Sequence, residues 1–187
     1  METLEYTNPT KKYTLDLSLW LDDYDDIYSD FDSRNYLKRR VSTDFTDELR
    51  MAIKNKNEEI NNLVLLLPAE KRENETEQKN LQSLKTYFDR QLFASKKKYS
   101  KHLKEGILFF IIAISLMVIN SVISFRLNNN LLSSIIRIIL EPSGWFLVWI
   151  SFDMLYYDLK ELKNDKDFFQ ELSELKIFFQ SSDSYNI

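Results

Sequence analysis

The sequence predicts a membrane protein, a two-helix transmembrane hairpin with a small cytosolic α+β domain formed by its N- and C-terminal parts. Three observations predict it. Two apolar stretches, 107–125 and 138–157, are each long enough to cross a bilayer. Lysines gather on the chain just before the first and just after the second. Outside them, hydrophobic residues recur with strand and helix periods. Bulk totals conceal this, because a mean hydropathy of -0.36 with 29% charged residues averages two short apolar windows against charged flanks.

The first elements belong to the soluble part. In 13–20, Leu15, Leu17 and Leu19 alternate with Thr14, Asp16 and Ser18, the pattern of a half-buried strand. In LDDYDDIYSDFD, Tyr24, Ile27, Tyr28 and Phe31 fall at helical spacing and predict a short amphipathic helix with an acidic face. Ser42 or Thr43 can cap a helix over 43–56, with Phe45, Leu49, Ala52 and Ile53 inward and Asp44, Asp47 and Glu48 near its start. The run INNLVLLLP predicts a strand over 60–67, stopped by Pro68. Strand, helix and strand make a βαβ-like unit too small to stand alone.

From 74 to 106 Leu81, Leu84, Phe88 and Leu92 recur by threes and fours with no interrupting proline or glycine until Gly106, so one helix should run on into the membrane. A helix from 75 to 125 would be about 75 Å long. Its stripe can pack on the domain's own sheet or form a seam between subunits. The span ILFFIIAISLMVINSVISF carries no charge. The second stretch contains Arg137, Glu141, Pro142 and Gly144. Two placements fit it: an external loop and interfacial segment over 126–137 followed by a span over 138–157, or a span from 131 to about 152 that buries Arg137 and Glu141 as an i, i+4 pair. The segment EPSGW is expected to break the helix and free backbone groups. Beyond it, 167–175 reads as helix, 175–180 as a short strand able to join the N-terminal strands, and the end as a tail.

Lys96, Lys97, Lys98, Lys101 and Lys104 precede the first span, and Lys160, Lys163 and Lys166 follow the second, against Arg126 alone in the loop RLNNN. The positive-inside rule then places both termini in the cytoplasm of a multi-pass protein of the inner or plasma membrane, with the lysines against anionic headgroups. The start METLEYTNPT has no apolar core and does not read as a signal peptide.

Few residues suggest chemistry. With no cysteine and one histidine, His102, thiolate and multi-histidine metal sites are excluded, and a Ser-His-Asp triad would need His102 at the membrane surface. The carboxylates Asp22, Asp23, Asp25, Asp26, Asp30 and Asp32 lack the glycine and closing glutamate of an EF-hand and read first as a solvated or partner-binding face. Arg34, Lys38, Arg39 and Arg40 can pair with that run or receive an anionic ligand. The basic stretch is too short and too close to acid for nucleic-acid binding. Two glycines supply no phosphate loop, and no cofactor or metal is expected. Within the membrane, Asn120, Ser121, Ser124, Arg137, Glu141, Ser143, Gly144 and Ser151 should face another helix, a subunit or a water path.

The segments DYDDIYSDFDSRNYLKRRVSTDF and LEPSGWFLVWISFD resemble an uncharacterised family of small bacterial and archaeal two-span membrane proteins. The resemblance implies the layout and no activity. It also implies a glutamate soon after GWF, where this chain has Trp149, Ile150 and Ser151. The expectation is a non-enzymatic homo-oligomer whose cytosolic domain receives a signal or protein partner and acts on the hairpin, with a pore-forming effector as one version. An adaptor that recruits a cytosolic partner is the second reading, and a lipid-headgroup enzyme the third.

Overall fold

The computed structural model describes residues 17–54, 60–126 and 130–184. The expected strand positions 13–16, the end of the helix at 55–56, the loop residues 127–129 and the last tail residues, 185–187, lie outside them. The chain is mostly helical and divides into two compact units, Met1–Phe88 with Glu171–Ile187, and Asp89–Gln170.

The first unit is built on a three-stranded parallel sheet in the order β1-β2-β3, formed by Leu17–Trp20, Asn62–Leu67 and Lys176–Ser181. Parallel neighbours need a crossover, and helix α1, Thr43–Lys54, lies in the connection between β1 and β2. Leu17 pairs with Leu63 and Trp20 with Leu66 on one side of β2, while Leu63 pairs with Ile177 and Leu67 with Ser181 on the other. Central β2 is apolar without alternation because both its faces are covered: Leu63, Val64, Leu65, Leu66 and Leu67 are all buried. Leu17, Ile27, Phe45, Leu49, Leu84, Phe88 and Leu172 complete this core. The two ends of the chain therefore do form one unit.

Between β1 and α1 the expected amphipathic helix is not formed. Only one 3-10 turn, Tyr24–Ile27, is present, opened by a capping box between Asp23 and Asp26. Tyr28 then leaves helical geometry to bridge Val41 in antiparallel fashion, which buries Tyr24, Ile27 and Tyr28 without a helix. Phe31, the fourth position of the periodicity, is 96% exposed.

Helix α2 is a single element, Asn74–Arg126, of 53 residues. Helix α3, Leu131–Asp153, passes through Pro142 unbroken, so the expected interruption at 141–144 is absent. Proline removes one amide donor. The Ser143 hydroxyl donates to Ile139 O at 2.7 Å in the same turn, adding a local bond where the ladder is weakest. The segment 131–137, expected as loop or interfacial segment, is the start of this same helix. The irregularity sits later, in a π-helical turn over Met154–Asp158 that leads into α4, Leu159–Glu174.

In the second unit α2 and α3 lie antiparallel. The backbone at Gly106 meets Leu155, Gly144 meets Met117, and Arg137 reaches Ser124, contacts evenly stepped along both helices. This register sets the stretch opposite 107–125 at about 136–154, close to the later of the two placements. The apolar windows of α2 and of the Leu131–Glu174 helical run are long and apolar enough to cross a membrane, and only 11% of each is buried. A core helix of a soluble protein would be mostly buried.

Candidate functional site

The polar residues of the hairpin converge. Asn120, Ser121 and Ser124 on α2 and Ser134, Arg137 and Glu141 on α3 line one groove of about 540 Å³, bordered by Met117, Ile138 and Trp145. Helical geometry makes it. Positions 117, 120, 121 and 124 fall on one face of α2, and 134, 137, 138, 141 and 145 on one face of α3, and the antiparallel register brings the two faces together. Ser134, Met117 and Trp145 were not singled out in the sequence, although the same spacing marks them.

Arg137 Nη1 donates to Ser124 Oγ at 3.3 Å. The i, i+4 pair of Arg137 and Glu141, which the alternative placement allowed, is not formed, and the Glu141 carboxylate has no hydrogen bond or ion pair with any described residue. Asn120 Oδ1 is buried and without a donor. Ser143 and Gly144 take no part. The first is held by its own helix and the second packs on Met117. Ser151 is fully buried, with its hydroxyl on Val148 O at 2.8 Å.

Farther along the hairpin, His102 Nε2 lies 3.2 Å from Asp158 Oδ2, and Nδ1 lies 3.9 Å from Glu105. Among the described residues no serine hydrogen-bonds to His102, so no triad is assembled there. Lys96, Lys97, Lys98, Lys101 and Lys104 are all exposed, and only Lys101 meets a carboxylate, Glu105 at 3.7 Å.

Most of the acidic run of the first unit is bonded within the unit itself. Asp23 accepts from the Tyr24 amide at 2.6 Å, and Asp26 accepts from the amides of Asp22 and Asp23 at 2.7 and 3.0 Å. Asp25 binds Arg39 at 2.6 Å and Tyr36 at 3.1 Å. Asp32 takes Arg34 in a two-point pair and the Arg40 amide at 2.8 Å, and these bonds hold its carboxyl well below the usual carboxylate range. Of the two readings of Arg34, Arg39 and Arg40, internal pairing is what forms at Arg34 and Arg39. Among the described residues no group of three or more His, Cys, Asp or Glu side chains is placed to hold a metal ion.

In open α/β sheets ligands favour the carboxyl ends of the strands. Here that end is closed by the protein itself. Lys71 after β2 meets Asp23 after β1 at 3.3 Å. Arg72 holds Glu77 at 2.7 and 3.1 Å and reaches Phe179 O on β3 at 3.3 Å. Tyr24 Oη accepts from the Glu73 amide at 2.9 Å and donates to Glu77 at 3.4 Å, and burial, first among its causes, raises its pKa. Deeper in, Tyr28 Oη donates to Asn80 Oδ1 at 2.8 Å, and Ser83 Oγ donates to Tyr36 O at 3.0 Å.

The chain matches no family model, no curated protein and no solved structure. The resemblance of its two segments to small two-span membrane proteins therefore rests on those segments alone.

Proposed function

We propose that this chain is a homo-oligomeric two-span membrane protein, with both termini cytoplasmic, whose α/β unit receives a protein partner and acts on the hairpin through α2. The observation that carries the reading is the continuity of α2, one 53-residue helix that contributes Leu84 and Phe88 to the α/β core and supplies the first apolar span. Between these ends the helix has no proline, the commonest cause of a sharp kink. The reception surface in this reading is the segment 29–40, where Phe31 is 96% and Leu37 49% exposed on a loop stiffened by the Asp32–Arg34 pair. Large apolar side chains held outward on an ordered loop suit a protein partner.

Enzymatic chemistry has little to support it, since the strand ends are filled by the chain's own ion pairs. The pore version is also weakly supported. The groove's polar side chains occupy one end of the hairpin, and opposite faces over 107–114 and 146–150 are apolar, which leaves no polar path along the whole length.

Because the chain has no native cysteine, topology can be tested with single cysteines and an impermeant thiol reagent in intact cells. Asn130→Cys should label from outside, and Lys97→Cys and Lys163→Cys only after permeabilisation. Labelling of all three before permeabilisation, or release of the protein by alkaline carbonate, would refute the two-span reading. Crosslinking in native membranes should give a homo-oligomer. The adaptor reading is separated by affinity capture of a stoichiometric partner that is lost in Phe31→Ser.

A further inference from the structure

We propose that two copies of this chain pack α3 against α3 along a ridge of Ile138, Glu141, Trp145 and Phe152, each α3 seated in the α2/α3 groove of the other. This rests on the reading of the chain as a homo-oligomeric, membrane-spanning protein, and it names the contact. At 3.6 residues per turn the four positions fall within about 60° on α3. Glu141 is exposed, and Ile138, Trp145 and Phe152 are 71%, 54% and 54% exposed. Three of the four, Ile138, Glu141 and Trp145, line the groove. Their spacing by threes, fours and sevens is that of a helix-to-helix seam.

The polar groups on and beside the ridge identify what covers it. The Glu141 carboxylate, the Ser121 and Ser134 hydroxyls and the Trp145 indole N–H have no hydrogen bond with any described residue. At 1.5 Å per residue Glu141 lies about 7.5 Å inside the outer end of the α3 stretch that starts at 136, where lipid tails offer a carboxyl group no donor. A carboxyl group accepts in either protonation state, and hydroxyls and indole N–H groups donate. The unmet set thus holds acceptor and donors together. A ligand of one charge meets only part of such a set, whereas a second copy related by a two-fold axis brings the complement of each member. Polar contacts between helices are how membrane proteins commonly satisfy such residues.

Depth and shape agree. A two-fold axis along the membrane normal preserves depth. The register that sets Gly144 on Met117 and Arg137 on Ser124 puts Glu141 level with Asn120 and Ser121. Glu141 of the partner subunit therefore arrives level with the exposed Ser121 hydroxyl and one turn from Trp145, whose long indole side chain can span that turn. Two grooves set squarely face to face would leave a void between them. Offset, they do not: each α3 fills the other groove, and the four helices stand at the corners of a rhombus with the two α3 helices on its short diagonal. Such a corner needs the contact surface to lie well round the helix from its own α2, and the ridge lies about 90° round α3 from Gly144, which faces α2.

The chain has no native cysteine, so single cysteines in the full chain report the contact directly. Ser134→Cys, Trp145→Cys and Phe152→Cys, spaced along the ridge side of α3, should each give a disulfide-linked dimer under copper phenanthroline in native membranes. Ile139→Cys and Phe146→Cys, turned away from it, should not. By sedimentation equilibrium in detergent, Glu141→Leu should raise the dimer's dissociation constant about tenfold, about 1.4 kcal/mol over two equivalent contacts. Glu141→Gln keeps an acceptor and should stay within about threefold of wild type. Crosslinking at 139 and 146 that equals that at 134, 145 and 152 overturns the proposal and leaves the homo-oligomer to another surface. So does a Glu141→Leu chain that dimerises like wild type, or crosslinking of the ridge cysteines to a different protein. If Glu141→Leu does not fold, the cysteine pattern, obtained with Glu141 in place, decides alone. A chain monomeric in native membranes refutes the homo-oligomer and this contact with it, and release by alkaline carbonate refutes the spanning reading itself.

Discussion

Buried polar residues on α2 carry much of what is specific about the α/β unit. Asn80 is fully buried and holds Tyr28 Oη, while its own Nδ2 has no acceptor. Tyr28→Phe should therefore leave the Asn80 carbonyl unmet as well and cost about 1–3 kcal/mol in denaturant unfolding. Tyr28→Phe combined with Asn80→Leu removes both needs and should recover most of that loss. A double variant as unstable as the single one would show that Asn80 acts otherwise. Glu171 behaves differently. Burial, and then the charge of Glu174, raise its carboxyl pKa. The folded state thus holds the proton more tightly than the unfolded chain, whose glutamates titrate near about 4.3. Its contribution is fully present below that value and is lost as pH rises through the raised one. Glu171→Gln should raise Tm at neutral pH and flatten the pH dependence. An unchanged Tm between pH 5 and 8 would discount it. None of this was legible in the sequence, where the apolar spacing of the helix singles out Leu81, Leu84, Phe88 and Leu92 and says nothing of Glu77, Asn80 and Ser83. Their partners, Tyr24, Tyr28 and Tyr36, arrive from a loop about fifty positions earlier.

At the scale of elements, local periodicity reported well wherever the element is local. The threes and fours of α2, the capped start of α1 and the unbroken apolar run of β2 each mark their structure within a residue or two. Two segments misled for definite reasons. Tyr24, Ile27, Tyr28 and Phe31 satisfy a helical spacing, but a turn followed by a bridge to Val41 buries the first three equally well. The second is Pro142, a usual helix stop, which α3 carries through. Glycine, not proline, decides the packing of this hairpin. A Cβ on Gly106 would lie 2.8 Å from Leu155 Cδ2 and 2.9 Å from its Cγ, whereas one on Gly144 would lie 3.0 Å from Met117 Cγ. A flexible methionine can give by a few tenths of an ångström. Relieving Leu155 is harder, because both contacting atoms move only if its whole branched end turns about Cα–Cβ to another rotamer, and both distances are below 3.0 Å. Gly106→Ala should therefore lower the thermal stability of the detergent-solubilised protein clearly, and Gly144→Ala should leave it nearly unchanged. The reverse order would contradict the register of α2 and α3.

For the molecule as a whole, the sheet makes the two ends of the chain interdependent. Strand β2 pairs with β1 over four residues and with β3 over six, so loss of β3 uncovers an edge whose sequence is five consecutive large apolar residues. Such an edge is a template for aggregation. The sequence suggested that 175–180 joins the N-terminal strands; what it could not give was that β2 lies in the centre, since order within a sheet depends on contacts more than a hundred residues apart. A direct consequence can be tested without the membrane. Lys85 Nζ donates to Ser173 O, which puts the two cut ends of the α/β unit, after Phe88 and before Glu171, within reach of a short Gly/Ser linker. A chain of 1–88 joined through about six linker residues to 171–187 should be soluble, show mixed α/β circular dichroism and unfold cooperatively. Residues 1–88 alone should sediment as aggregate at the same concentration. If instead 1–88 alone is soluble and folds with the same spectrum, β3 is dispensable, and the pairing of the chain's two ends does not hold the unit together.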